Sequence, residues 1–150
     1  MKQDRNEMEL VFSAKSENEA LARMAVTAFC MSLNPTMEEI SDIKTAVSEA
    51  VTNAILHGYR QNPEELVRMH CLREDGHLTV QIRDDGVGME DVARAMEPMY
   101  TSKPELERSG MGFSFMEAFM DELSVESAPG KGTTVTMKKH LMRPDRLTAQ

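Results

Sequence analysis

The sequence predicts a single α/β domain of the α+β kind, and three observations support it. Two segments combine helical spacing of apolar residues with a Ser/Thr-to-Glu capping pattern. Two more segments are strand pairs closed by glycine turns, one at Glu74-Asp75-Gly76 and one around Gly130. No repeat, low-complexity tract or linker divides residues 1–150, a length that buries roughly two-thirds of the unfolded surface.

In chain order, Met8 to Ala14 reads as a short strand. Ser16 with Glu19 has the spacing of a capping box, and Leu21, Met24, Ala25, Ala28 and Phe29 recur as a helical stripe that ends near Pro35. Thr36 and Glu39 open a longer helix with the stripe Ile40, Ile43, Val47, Ala50, Val51, Ala54 and Ile55, stopped by Gly58. Arg60 to Glu65 is a polar loop. Leu66–Arg73 and His77–Arg83 read as a hairpin. Met89 to Met99 suits a short helix, and Tyr100 to Gly110 is polar and broken by Pro104, so about residues 90–111 are expected to form a mobile lid. Gly112 to Met120 is an apolar third helix. Leu123–Ser127 and Thr133–His140 make a last hairpin, and 143–150 reads as a frayed tail.

With 41% hydrophobic and 28% charged residues, the composition is that of an ordinary globular chain. No run approaches the roughly 18 apolar residues of a membrane span, and the N-terminus has no apolar signal core, so a cytoplasmic protein is expected. The formal charge of −8 speaks against direct nucleic-acid or acidic-membrane binding. It leaves room for a nucleotide whose phosphates are met locally by a metal and a few cations. Cys30 and Cys71 have no ligand spacing around them and read as free core thiols. Fourteen methionines without a tryptophan fit adaptable core filler first, and a plastic partner-binding surface second.

Three fragments carry the chemistry: Glu49 to Asn53, Asp84 to Gly88, and Arg108 to Gly112. Glu49, Asn53 and His57 are four apart and share a helical face, drifting about 40° per step. A carboxylate there can take a proton from an attacking hydroxyl, and a neutral amide oxygen suits Mg²⁺, which takes few protein ligands. On this helix alone, solvated surface is the commoner reading of both.

Asp84 ends a strand, and Gly86 and Gly88 let the backbone approach a flat ring. Its carboxylate can accept from the exocyclic amine of adenine, although alone this is also a common strand-closing turn. Ser109, Gly110, Met111 and Gly112 precede a helix, so their amides and the helix dipole can hold phosphate oxygens. Lys103 and Arg108 add cations there, and Thr101 and Ser102 add hydroxyls; alone, a flexible glycine loop would look the same. The spacing is neither Walker A nor the three-glycine dinucleotide fingerprint. Together, in this order within about sixty residues, the fragments point to an ATP site.

With Gly132-Thr133 behind them, these fragments resemble the GHKL superfamily of ATPases and kinases. The resemblance implies a two-layer sandwich, a mixed, mostly antiparallel sheet with helices on one face, and Bergerat-type ATP binding beneath the lid. Longer stretches, Ser48 to Tyr59, Thr101 to Phe113, Phe119 to Glu122 and Lys131 to Val135, are similar to the anti-sigma-F family of sporulation serine kinases. That likeness implies a homodimer that holds a sporulation sigma factor inactive. It also implies phosphorylation of a serine on an anti-anti-sigma factor, using ATP and Mg²⁺ and leaving ADP.

Carried over by position, Glu49 is the general base, Asn53 the Mg²⁺ ligand and Asp84 the adenine reader, supported by Thr133. Arg108 reaches the γ-phosphate, and Arg23 matches a family position that contacts both protein partners. Sequence physics alone reads Arg23 as a solvated helix face. The alternative within the same fold is a non-catalytic ATP-gated binding switch. A histidine-kinase fragment is disfavoured, because Glu49 stands where histidine kinases commonly carry asparagine or histidine. His57, His70, His77 and His140 also lack a phosphoacceptor context.

Overall fold

The computed structural model describes residues 5–97 and 112–141. Five strands, β1 (Asn6–Ser13), β2 (Leu66–Glu74), β3 (His77–Asp84), β4 (Glu122–Ser127) and β5 (Thr133–His140), form one sheet in the order β1-β2-β3-β5-β4. All four pairings are antiparallel, so the sheet expected to be mixed but mostly antiparallel carries no parallel pair among the described residues. Alternation along the strands sorts the two faces. Val67, Met69, Cys71, Leu78, Val80, Ile82, Val135 and Met137 turn inward and are buried, whereas Arg68, Thr79, Gln81 and Lys138 occupy the other parity. Each fully buried aliphatic side chain contributes about 1.5–3 kcal/mol, so the inward row anchors the fold.

The helices α1 (Asn18–Cys30), α2 (Met37–Asn53) and α4 (Gly112–Phe119) cover that apolar face, with α2 packed between the other two. A one-turn α3 (Val92–Ala95) stands where a longer helix was expected from Met89 to Met99. Among the described residues no helix is long and apolar enough to cross a membrane. Cys30 and Cys71 are both buried free thiols, as their context predicts. Met69, Met116, Met120 and Met137 fill the core, as the first reading of the methionines expects, while Met24, Met31 and Met37 are exposed.

α2 starts where the sequence places it. The Thr36 hydroxyl accepts the Glu39 amide at 3.1 Å and the Glu39 carboxylate accepts the Thr36 amide at 2.9 Å, which completes the box. Replacing Thr36 by alanine is expected to cost about 1 kcal/mol, read as a lower urea midpoint at unchanged slope. Ile43, Val47, Ala50, Val51, Ala54 and Ile55 are buried as expected, and Ile40 is only half-buried.

α1 departs from expectation in two ways. Its cap position is Glu17 with no side-chain cap bond, so Ser16 and Glu19 form no box. Glu19 instead binds Arg23 at 2.9 Å and the Thr52 hydroxyl of α2 at 2.9 Å. The buried stripe is Ala22, Val26, Phe29 and Cys30, leaving Leu21 and Met24 outward at 47% and 68% exposure. Apolar residues occur on both sides of α1, and the polar tie to α2 selects which side faces inward.

Past Asn53 the chain does not simply stop at Gly58. Ala54–Gly58 winds as a wider π turn, which shifts His57 out of strict register with Glu49 and Asn53.

Candidate functional site

The end of α2, the turn after β3, α3, the start of α4 and the β4–β5 hairpin enclose a cleft of about 730 Å³. That volume lies within the range of small-ligand sites. Asp84 lies at its floor. As the last residue of β3 it shares the parity of Leu78, Val80 and Ile82, so strand alternation sends a carboxylate into the core face. It is 5% exposed and, with Glu39, one of two buried charged residues among those described.

Burial pushes the Asp84 pKa up to about 6, aided by the neighbouring Asp85 charge and opposed by hydrogen bonds from the Gly86 and Thr133 amides. The Gly86 amide donates to Oδ1 at 2.9 Å. The close of the π turn presses directly on this carboxylate, because a Cβ on Gly58 would lie 2.6 Å from its Oδ1. The Val87 amide donates to the Gly58 carbonyl at 3.0 Å, fastening the two segments together. Gly58→Ala is therefore expected to cost on the order of 1–3 kcal/mol by overpacking and to weaken nucleotide binding by displacing Asp84. Urea unfolding and an ATP titration check it.

Thr133 pairs with Asp84 across β3 and β5 and lines the cleft. Its hydroxyl lies 2.8 Å from Ser127 Oγ. Ser127 Oγ also donates to the Gly132 carbonyl at 2.9 Å and accepts the Met89 amide at 2.8 Å. One serine thus ties the hairpin to the far end of the Asp84–Gly88 turn, and Gly88 lines the cleft beside it.

The first and third fragments meet at the start of α4. A Cβ on Gly112 would lie 3.2 Å from Glu49 Oε2 and 3.3 Å from Asn53 Nδ2, so glycine is what leaves room there. Asn53 lines the cleft and Glu49 is half-buried beside it. Among the described residues no group of three or more His, Cys, Asp or Glu could hold a metal. A Mg²⁺ held by one amide oxygen, with water and phosphate completing its shell, needs no such group, and the Asn53 amide lining the cleft is a donor of that kind.

Thr101, Ser102, Lys103, Arg108, Ser109, Gly110 and Met111, most of the expected lid and the 143–150 tail lie outside the described residues. Arg23 is away from the cleft. Its guanidinium binds Glu19 at 2.9 Å and Ser48 Oγ at 3.0 Å, beside a shallow groove that also borders Lys44 and Thr45.

Sequence reading missed Gly58 as a contact of Asp84, Tyr59 as a brace of the turn, and Ser127 as its tie. It also missed Arg60 and Arg94 as cations lining the cleft. Tyr59 leaves one signal, since a buried tyrosine needs a hydrogen-bond partner. The sequence does not say which partner.

The description "Histidine kinase-like ATPase domain" matches residues 12–139. An anti-sigma F factor of Geobacillus kaustophilus is 56% identical over 143 residues, covering 95% of this chain and 98% of that protein. The anti-sigma F factor of Clostridium acetobutylicum is 58% identical over 134 residues, covering 89% and 93%. Among solved structures, the RsbU and RsbW domains of a Mycobacterium tuberculosis protein align with a TM-score of 0.67 at 20% identity, over 93% of this chain and 33% of that one. The SiaB-SiaC complex from Pseudomonas aeruginosa aligns with a TM-score of 0.58 at 15% identity, over 88% of each chain. At these identities the two structures speak for the fold.

Proposed function

The chain belongs to the anti-sigma F factors within the histidine kinase-like ATPase family, and on that premise we propose that it is an ATP-dependent protein-serine kinase that also sequesters a sigma factor. One observation carries the kinase reading: Glu49 and Asn53 converge on Gly112 at the rim of a cleft with the buried Asp84 at its floor. The substrate is a serine of an anti-anti-sigma protein, and the working form is a homodimer.

Asp84 selects the nucleotide by accepting from the exocyclic amine of adenine, and Thr133 holds the adjoining strand end. Asn53 would hold Mg²⁺ through its amide oxygen. When bound, that ion neutralises phosphate charge and orients the terminal phosphate. Glu49 takes the proton of the attacking serine hydroxyl as the serine oxygen bonds to the γ-phosphorus and the bond to the β-phosphate oxygen breaks. Arg108 supplies positive charge toward the γ-phosphate. ADP and a phosphoserine are the products, and the proton stays on Glu49 until solvent removes it.

Arg23 is the residue that contacts both protein partners in this proposal. Glu19 and Ser48 hold its guanidinium in place beside the shallow groove bordered by Lys44 and Thr45. Titration with ATP and GTP, followed by sigma-factor capture with ATP or ADP bound, tests the reading. Preferential ATP binding and nucleotide-dependent capture are expected. Absence of ATP binding would sink it.

A further inference from the structure

We propose that Tyr59 is a positioning residue for nucleobase choice, its hydroxyl locking the turn that aims the Asp84 carboxylate. This inference rests on Asp84 being the base reader. Tyr59 follows the π turn, and its ring is 7% exposed. Its hydroxyl accepts the Asp85 amide at 2.6 Å and donates to the Leu66 carbonyl at 2.7 Å. One phenol therefore joins the end of α2, the start of β2 and the first residue beyond β3. Tyr59 is not among the residues lining the cleft, so it acts through the turn and not on the base.

The segment from Asp84 to Val87 hangs from two consecutive residues. Gly58 holds it through the Val87 amide at 3.0 Å, and Tyr59 holds it through the Asp85 amide. Between these anchors the Gly86 amide fixes Asp84 Oδ1 at 2.9 Å. Burial raises the Tyr59 pKa, which keeps the phenol a neutral donor to Leu66 throughout the physiological range.

A fixed carboxylate distinguishes adenine from guanine because it meets an amine on one and a carbonyl oxygen on the other. The second contact is repulsive only if the carboxylate cannot turn away. A site built around one hydrogen bond rejects the wrong partner by leaving its own buried group unpaired. Releasing the Asp85 end of the turn lets Asp84 move, so discrimination should fall further than stability.

Tyr59→Phe keeps the ring and removes only the hydroxyl. Its affinity for ATP is expected to fall about tenfold while GTP changes little, so the GTP-to-ATP Kd ratio drops at least about fivefold. In the wild type the Asp85 amide should be strongly protected from hydrogen exchange, and the variant should lose that protection. A merely structural role would lower the melting temperature and weaken both nucleotides equally, leaving the ratio unchanged.

A wild type that prefers ATP, with an unchanged ratio in the variant, overturns this inference alone. A wild type that binds ATP and GTP equally overturns the reading of Asp84 and this inference with it. Should Tyr59→Phe not fold, rapid exchange at the wild-type Asp85 amide would still overturn the lock, and strong protection there would support it.

Discussion

Asp84→Asn is expected to stabilise the empty protein at neutral pH and to remove nucleotide binding. Burial raises this carboxylate from 3.8 to about 6, the reverse of the usual shift for an aspartate. The folded chain then holds a proton between those values that the unfolded chain has released. The stability contributed by protonated Asp84 is full below 3.8 and is lost as pH rises through about 6. At pH 7.5 the empty fold carries a buried negative charge costing about 3 kcal/mol.

Asparagine has the same shape, still accepts the Gly86 amide through its oxygen, and carries no charge. Its unfolding midpoint in urea should exceed that of the wild type at pH 7.5, with the advantage fading toward pH 4. Its amide nitrogen would face the adenine amine donor to donor. ATP affinity should fall by about 100-fold or more. Wild-type ATP binding should likewise weaken as pH drops through 6, as the acceptor takes up a proton. A variant less stable than wild type at pH 7.5, or one that binds ATP normally, would show that Asp84 is a structural acid.

Glu49→Gln is expected to slow phosphotransfer by about 10²- to 10⁴-fold while leaving ATP affinity within about twofold. Glutamine keeps the length and the contact with Gly112 but cannot hold the serine proton. Glu49 lies beside the cleft and does not form its lining, so removing its charge should change the rate far more than binding. Single-turnover transfer and an ATP titration on the same preparation separate the two effects. Transfer within tenfold of wild type would mean that another group takes the proton.

What the sequence made legible follows from the range of the interactions involved. The Thr36 capping box and β5 from Thr133 to His140 match expectation because both are local patterns. Asp84 was legible as a strand-ending acid beside glycines, and strand parity then explains its burial. The inward side of α1 was not legible. Apolar residues lie on both flanks, and the choice depends on Glu19 meeting Thr52, 33 residues away.

Tyr59 and Ser127 escaped notice for a related reason. Tyrosine and serine are ordinary residues near a helix end or strand end. Only the fold brings Asp85 to Tyr59 across 26 residues and Met89 to Ser127 across 38. Gly58 was read as a helix stop, whereas its lack of a Cβ is what admits the Asp84 carboxylate.

The most direct measurement uses ATP labelled at the γ-phosphate, Mg²⁺ and an anti-anti-sigma protein as acceptor. Label should appear on a single serine of the acceptor and on no histidine of this chain, and Glu49→Gln should slow its appearance by about 10²- to 10⁴-fold. Tight ATP binding with no phosphoserine above background would contradict the kinase reading and leave a switch that binds ATP without transferring it.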